Sequence, residues 1–226
     1  MDKNIYLSVV IPTLNEEKNI SEVISGVKKV LEGYNYEIIV VDGHSTDNTA
    51  KIASSNGATV IYDNVGKGSA LKKGMSIAKG DIIISMDADL SNRPNELKLL
   101  ITGIESGYDV CMGSRFIIGG GSEDMPALRK FGNKIFVMMV NLFYKSNYSD
   151  LCYGYRSFSR EAIKKLNLKE MGFGIETEIN IAAVKKGLKI IEIPSYEKKR
   201  SGGEGKLRTF RDGYNILKVI FKNIKK

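Results

Sequence analysis

The stretch that most restricts the fold of this chain is residues 79–96, KGDIIISMDADLSNRPNE. Its apolar part, residues 81–86, is short and rich in β-branched side chains, which predicts a buried strand. Asp87 and Asp89 follow at once, and residues two apart on an extended backbone point the same way. Both carboxylates therefore converge just past the carboxyl end of the strand, where open α/β sheets bind ligands. Two such oxygen ligands suit Mg²⁺ or Mn²⁺, although an isolated D-x-D is more often a solvated turn.

The pattern around this strand alternates between short apolar runs and amphipathic helices, which favours a mostly parallel sheet covered on both faces. Asn15 is the expected cap of the first helix. The strands predicted in this way are 7–13, 36–41, 58–62, 81–86, 109–112 and 188–194. The helices predicted beyond residue 93 are 94–105, 126–144, 161–166, 175–186 and 210–224.

Charge is spread unevenly along the 226 residues, and this distribution constrains the partners. Residues 1–110 carry 11 Lys/Arg and 15 Asp/Glu, whereas residues 111–226 carry 23 and 11, a net charge of +12. A strongly basic second half predicts an anionic partner, namely a phosphate, a lipid surface or a nucleic acid. With 42% apolar residues the chain has an ordinary globular composition, which excludes a disordered protein.

Two features of the sequence predict the cellular compartment of the chain. Cys111 and Cys152 follow no metal or redox spacing, so we interpret them as small buried residues in a reducing compartment. No segment approaches the 18 apolar residues that indicate a membrane span, and the start has no signal-peptide pattern. The expectation is a cytoplasmic chain, soluble or peripheral on the cytoplasmic face of a membrane.

Several polar loops follow predicted strands, and each is weak evidence by itself. Residues 9–17 and 40–47 place polar turns where a nucleotide base and ribose could bind. Gly66-Lys67-Gly68 resembles a phosphate loop but lacks the P-loop spacing, and Lys67 is nearly as often a solvated loop lysine. His44 is the only histidine, and we assign it no acid–base role.

Taken together, these motifs resemble one family. VVIPTLNEE, VVDGHSTDNT, NVGKGSALKKG and GDIIISMDADL stand in the order and spacing of inverting family 2 glycosyltransferases with the GT-A fold. The later segment 150–156, DLCYGYR, resembles the D-x-x-x-G-[FY]-R element of the polyprenyl-phosphate sugar synthases, typified by dolichyl-phosphate mannose synthase. The resemblance covers about residues 8–213 and, as an ordered set, is highly specific.

The resemblance implies a single Rossmann-like α/β domain of the GT-A type, with a C-terminal amphipathic helix. Residues 1–110 would form the nucleotide-sugar half, 111–208 the acceptor half, and 209–226 the tail helix. The pair of C-terminal transmembrane helices found in some members has no counterpart in this sequence.

The resemblance also implies site residues. Asp87 and Asp89 would hold the donor diphosphate through a divalent metal, with Asp89, Arg115 and Arg129 as the catalytic set. Arg115, Arg129 and Asn133 would bind the acceptor phosphate, with Asn133 standing where the family often has serine. Residues expected to bind the nucleotide sugar are Pro12, Leu14, Glu16, Asp42, Ser45, Lys67, Asp87, Ala88, Arg200 and Lys206.

Two departures from the family pattern leave details open. Gly43 replaces a second aspartate found in many members, so the base is open between uracil and guanine. Ser91 replaces a glutamine that helps to bind metal in some members, so the third protein ligand is open.

The function predicted is transfer of a hexose from a nucleotide sugar, of the GDP-mannose or UDP-glucose type, to a polyprenyl or dolichyl phosphate. A phosphate monoester has a second pKa near ~6 and is largely ionised at neutral pH, so it needs positioning more than a base. In-line displacement would invert the anomeric carbon.

Three other functions remain as alternatives. A family 2 enzyme acting on a hydroxyl acceptor, such as a lipid-linked glycan, would need a base, for which Asp150 is the candidate. A nucleic-acid-binding module would use the basic charge, but no aromatic residues are interleaved for base stacking, and we expect no nucleic acid partner. A nucleotidyltransferase would release pyrophosphate.

Two segments predict contact with a membrane surface. Residues 126–144 are basic and then apolar, and the tail helix has apolar residues on one face beside lysines. Such helices can lie in the headgroup region, although packing on the core or in a homo-oligomer is the alternative. The tail face consists of Phe210, Tyr214, Leu217, Phe221 and Ile224, and its lysines are Lys218, Lys222, Lys225 and Lys226.

Overall fold

The computed structural model describes residues 5–201 and 208–224. The strands are β1 Leu7–Thr13, β2 Tyr36–Asp42, β3 Thr59–Tyr62, β4 Ile82–Ser85, β5 Val110–Ser114, β6 Gly121–Ser122, β7 Arg156–Ser159, β8 Ile190–Pro194 and β9 Tyr196–Glu197. The helices are α1 Ile20–Val30, α2 Thr49–Ser55, α3 Lys67–Ile77, α4 Leu97–Glu105, α5 Ala127–Tyr144, α6 Arg160–Lys165, α7 Ile175–Lys185 and α8 Thr209–Ile224, with a 3₁₀ turn Pro94–Glu96 before α4.

The central sheet has seven strands in the order β3-β2-β1-β4-β7-β5-β8, which confirms the predicted α/β architecture with a mostly parallel sheet. Strand β7 is the exception, because it lies antiparallel between β4 and β5. The sequence analysis did not predict β7. Strands β6 and β9 pair separately at the rim.

Helices cover both faces of the sheet, and alternate residues of β1 serve the two sides. Val9 points into a core shared with α1, α2 and α4, whereas Val10 points into a core shared with α3, α5, α7 and α8. Both residues are fully buried, as expected for a strand covered on both faces. This packing leaves the loops at the carboxyl ends of β1, β2 and β4 free to form one rim.

The expected cap of α1 is wrong. The helix begins at Ile20, and Asn15 lies in the preceding turn with a left-handed φ of 53°. Its side-chain oxygen accepts a hydrogen bond from the Thr46 N–H at 2.8 Å. Asparagine tolerates this backbone conformation better than most residues, so Asn15 joins the two strand-end loops instead of capping a helix.

Helix α8 carries apolar residues on two sides. Ile216, Val219 and Ile220 are buried against the α5–α7 side of the core. The residues assigned from sequence to one apolar face instead point away from this core, and Phe210 and Tyr214 are 82% and 60% exposed. One side of the tail helix therefore packs on the core, and contact of its open side with a membrane stays a prediction. Among the described residues, no helix combines the length and apolarity needed to cross a membrane.

Candidate functional site

A cavity of about 770 Å³ opens at the carboxyl ends of β1 and β4 and extends between α5 and α8. It brings together side chains from both halves of the sequence. The predicted site residues that line it are Pro12, Leu14, Glu16, Lys67, Asp87, Ala88, Asp89, Arg115, Arg129, Asn133 and Arg200.

Two predicted residues lie outside this lining. Asp42 is buried, and its carboxylate accepts hydrogen bonds from the Ser45 N–H at 2.7 Å and the Ser45 hydroxyl at 2.6 Å. Ser45 Oγ in turn accepts from the Asn15 N–H at 2.8 Å. Asp42 and Ser45 therefore connect the loops that follow β1 and β2, and their contact with a nucleotide stays a prediction. Lys206 lies outside the described residues.

The two aspartates after β4 are held by the loop that follows them. The Asn92 side chain accepts from the Asp87 N–H at 2.7 Å, and Asp89 Oδ1 accepts from the Ser91 N–H at 3.1 Å. Asp89 is 8% exposed, whereas Asp87 is more open. These local bonds fix the turn, so both carboxylates reach the cavity from the end of one strand.

Asp87 is paired with Lys67 at the start of α3. Lys67 Nζ lies 2.8 Å from Asp87 Oδ1 and 2.9 Å from Glu176 Oε1 on α7. Burial alone would lower the pKa of Lys67, but the two carboxylates outweigh it and hold that pKa well above its ordinary value. Burial would likewise raise the pKa of Asp87, but the charge of Lys67 prevails and lowers it. Lys67 thus lies between two carboxylates and is within ion-pair distance of both.

Asp89 is paired in a similar way with Arg200, which follows β9. The Arg200 guanidinium nitrogen lies 2.9 Å from Asp89 Oδ2, and its Nε lies 3.6 Å from Asp124 Oδ2. The Ser201 N–H also donates to the Asp89 carbonyl at 3.2 Å. The segment around Arg200 is therefore drawn to the second aspartate of the motif.

Arg115 anchors the opposite wall of the cavity. Its guanidinium donates to Asp150 at 2.7 and 3.0 Å and to Glu197 at 3.1 and 3.2 Å. It also lies 4.6 Å from the centroid of the Tyr153 ring. Burial alone would lower the pKa of Arg115. The negative charges of Asp150 and Glu197 outweigh burial and raise this pKa above its ordinary value. Arg115 is thus a buried cation tied to two carboxylates, and a phosphate would compete with them.

Arg129 and Asn133 lie one turn apart on α5 and line the same part of the cavity. Asn133 is buried, and its side-chain oxygen accepts from the Leu151 N–H at 3.2 Å, which fixes the orientation of the amide. Its Nδ2 is buried and has no hydrogen-bond partner among the described residues. A buried donor without an acceptor is costly, so this N–H₂ group is suited to a ligand oxygen.

The remaining end of the cavity is apolar. It lies between α5 and α8, and several of its side chains are largely exposed, among them Phe131 at 63%. An exposed apolar surface of this kind is typical of an interaction site or a ligand-binding groove. The exposed side chains here are Leu128, Phe131, Phe210 and Tyr214, and the partly buried Phe136 and Leu217 line the same end.

Sequence reasoning missed three acidic residues that shape the site, namely Glu176, Glu197 and Asp124. Each forms an ion pair with a predicted cation, Lys67, Arg115 or Arg200 respectively. The segment Gly174-Ile-Glu176-Thr-Glu178 also resembles the polyprenyl-phosphate sugar synthases, and it is the one signal that could have drawn attention to Glu176. Within residues 5–201 and 208–224, no three His, Cys, Asp or Glu side chains form a group that could hold a metal by themselves.

Comparison with known proteins identifies the family. The family model described as glycosyl transferase family 2 matches residues 8–167. A dolichol-phosphate mannosyltransferase of Pyrococcus furiosus is 36% identical over 97% of this chain and 64% of its own length. A dolichyl-phosphate hexose transferase of Haloferax volcanii is 32% identical over 96% of this chain and 92% of its own length. The chain therefore spans less than two thirds of the Pyrococcus protein but nearly all of the Haloferax protein.

Solved structures agree at the level of fold. The glucosyl-3-phosphoglycerate synthase of Mycobacterium tuberculosis, solved with Mn²⁺, UDP and glucosyl-3-phosphoglycerate, has a TM-score of 0.78 at 22% identity. The match covers 98% of this chain and 80% of that structure. The family match over residues 8–167 and the identity to the Haloferax relative show that this chain belongs to glycosyl transferase family 2.

Proposed function

We propose that this chain transfers a hexose from a nucleoside-diphosphate sugar to a polyprenyl phosphate at a membrane surface. The observation that carries the proposal is that one cavity has paired charges at one end and exposed apolar side chains at the other. A donor diphosphate suits the charged end, and a lipid phosphate needs both ends. The names of the Pyrococcus and Haloferax relatives support the same acceptor class.

A divalent metal fits the charged end. Asp87 and Asp89 present two carboxylates from one strand end into an open cavity, which is a donor set that Mg²⁺ or Mn²⁺ prefers, with water or phosphate oxygens completing the shell. The Mn²⁺ and UDP named for the Mycobacterium structure support this reading. When bound, the metal would stabilise the charge that develops on the leaving diphosphate.

The chain's own residues would then orient the donor. Pro12, Leu14 and Glu16 line the cavity beside Ala88, where a base and ribose can lie along the strand ends. Lys67 and Arg200 supply positive charge for the diphosphate, with Lys206 in the same role from outside the described residues. Asp42 and Ser45 would contribute to nucleotide binding by holding these loops in place.

The acceptor phosphate would be held by Arg129 and by the oriented Nδ2 donor of Asn133. Arg115 adds buried positive charge at the same wall. An ionised phosphate oxygen is already a nucleophile, so positioning replaces a general base. A base role for Asp150 is disfavoured because both of its oxygens accept hydrogen bonds from Arg115. One in-line displacement would invert the anomeric carbon.

We also propose that α5 and α8 rest on the cytoplasmic face of the membrane. Both helices expose apolar residues, and the Phe143 and Phe221 rings lie 6.1 Å apart where the helices meet. Exposed lysines on the same helices complement anionic headgroups. This arrangement would let the phosphate enter the cavity while the prenyl chain stays in lipid. The lysines are Lys130, Lys134, Lys218 and Lys222.

The experiment is an assay of GDP- and UDP-sugars against polyprenyl phosphate in lipid, with and without Mg²⁺ or Mn²⁺. The expected product is a polyprenyl phosphate carrying one hexose of inverted configuration, identified by mass spectrometry and NMR. Transfer to a hydroxyl acceptor alone, or release of pyrophosphate, would overturn the proposal. Equal activity in metal-free buffer would overturn the metal assignment but would not contradict the assignment of polyprenyl phosphate as the acceptor.

A further inference from the structure

The cluster of Lys67, Asp87 and Glu176 holds one cation between two carboxylates. The two Nζ–oxygen distances, 2.8 and 2.9 Å, are nearly equal, so the lysine is ion-paired with both carboxylates. If Asp87 is a metal ligand, Lys67 competes with the metal for it. The second partner of Lys67 therefore influences how easily Asp87 is released.

Glu176 is held rigidly on the core side of this cluster. It lies in the first turn of α7 and is 5% exposed. The fully buried Arg156 donates to the Glu176 carbonyl at 3.0 Å and to the Asn180 side chain, one turn later, at 2.7 Å. The same arginine donates to the Tyr153 and Leu151 carbonyls, at 2.9 and 3.3 Å, so it ties the first turns of α7 to the segment before β7.

The surroundings of the cluster leave little free space. A Cβ atom on Gly154 would lie 3.2 Å from Lys67 Nζ, 3.4 Å from Asp87 Oδ2 and 3.5 Å from Glu176 Oε1. Glycine at this position therefore lets the main chain pass directly over all three charged groups. Lys67, by contrast, has a flexible four-carbon stem that can turn between its two partners.

We infer that Glu176 is a positioning residue that retains Lys67 when a divalent cation takes the Asp87 carboxylate. The inference rests on the metal use in the proposed function. With Glu176 present, Lys67 keeps one ion pair after it leaves Asp87, so its release costs less. Without Glu176, the whole attraction of Lys67 is directed at Asp87, and the lysine opposes the metal.

The second aspartate shows a related arrangement. Arg200 lies 2.9 Å from Asp89 and 3.6 Å from Asp124, so it too has a further carboxylate within reach. The longer distance to Asp124 makes this pair the looser of the two. The test therefore uses Glu176, where the geometry is tighter.

The test is a double-mutant cycle read by Mn²⁺ binding, with electron paramagnetic resonance of free Mn²⁺ and no donor present. We expect Glu176→Gln to weaken Mn²⁺ binding about threefold to tenfold, in the lower part of the range for coupled neighbouring groups. Lys67→Met should tighten binding because the competitor is gone. In the Lys67→Met background, Glu176→Gln should have almost no further effect.

Glu178→Gln is the matched control. Glu178 lies on the same turn of α7 but accepts hydrogen bonds from the Lys169 and Glu170 N–H groups, at 2.9 and 2.7 Å, and makes no contact with Lys67. It should leave Mn²⁺ affinity unchanged within about twofold, as surface changes outside the coupled set do. Thermal unfolding of every variant verifies the fold. Glu176→Asp, which keeps the charge on a shorter stem, should give an intermediate affinity.

Three outcomes would overturn the inference. Equal weakening by Glu176→Gln with and without Lys67 would show a plain charge effect that does not pass through the lysine. Tighter binding in Glu176→Gln would contradict the direction of the competition. Absence of Mn²⁺ binding by the wild-type chain would end both this inference and the metal assignment. The transfer assay with a chelator separates the last outcome from failure of the hexosyl-transfer proposal itself.

Discussion

The two ends of the cavity differ in whether their side chains have partners within the chain. At the charged end, Lys67, Asp87, Asp89 and Arg200 are all ion-paired within the chain. At the apolar end, α5 and α8 leave side chains such as Phe131 and Phe210 largely uncovered. Burying apolar surface is worth roughly 25 cal/mol per Å², so this end gains free energy only when an outside group covers it. The charged end is organised by ion pairs within the chain, whereas the apolar end stays uncovered by the chain itself.

The largest effect that this comparison predicts is at Asp89. Asp89→Asn should lower the rate of transfer roughly 1,000-fold, the upper range for removing one electrostatic group from an active site. The fold should survive, because Asp89 lies at a strand end and the amide can still accept from the Ser91 N–H. Turnover of the donor sugar and the thermal midpoint are the two measurements.

Asp81→Asn is the control for this change, since Asp81 is exposed at the opposite end of the same strand segment. It should leave turnover unchanged. Loss of activity in both variants to the same extent would mean that the charged end has no special place in the reaction.

Arg115 tests whether the charged end depends on ion pairs for stability. Arg115→Ala leaves Asp150 and Glu197 without their cation, and breaking a buried pair in this way costs about 3–5 kcal/mol. Urea denaturation should therefore show a marked loss of unfolding free energy. A loss below about 1 kcal/mol, the range of surface pairs, would contradict the view of Arg115 as a buried anchor.

Arg129 tests the division between donor and acceptor. Arg129→Ala should raise the KM for polyprenyl phosphate about tenfold, the effect of losing one charge-assisted contact. Nucleotide affinity should stay the same, because Arg129 lines the α5 side of the cavity and not the strand ends. Steady-state kinetics with each substrate varied, together with calorimetry of nucleotide binding, measures both. An equal loss of nucleotide affinity would show that the two ends share this arginine.

The charged end was the easier of the two to predict from sequence. Asp87 and Asp89 come directly after a buried strand, and the strand-end rule places them at the rim of the sheet without any knowledge of tertiary packing. Glu176, which pairs with Lys67, and Glu197, which pairs with Arg115, lie 109 and 82 residues after those partners in the chain, so their approach depends on how α7 and β9 pack. Periodicity within a segment holds no information about such contacts.

Two elements of the acceptor half show a similar limit. Strand β7 is only four residues, RSFS, and no alternation distinguishes it from a loop; its place between β4 and β5 is set by the sheet. Helix α8 has enough apolar residues for two sides, and its period alone does not tell which side packs on the core. In the structure Ile216, Val219 and Ile220 are buried in the core, and the aromatic side of the helix is exposed.

The smallest predicted effect concerns this open side and its contact with lipid. Lys218 Nζ lies 4.5 Å from the centroid of the exposed Tyr214 ring, so its charge sits beside the apolar surface. A basic side chain near an anionic membrane contributes about 1 kcal/mol, so Lys218→Gln should weaken binding to anionic liposomes about fivefold. Flotation at low salt measures the bound fraction, which should fall as salt rises. Lys28→Gln is the matched control, because Lys28 is exposed on α1 and helix α1 packs on the other face of the sheet. Equal binding by the two variants, or failure of the wild-type chain to float, would contradict contact between the apolar end and a membrane. A concentration-dependent dimer in sedimentation would then identify a second copy of the chain as the group that covers this end.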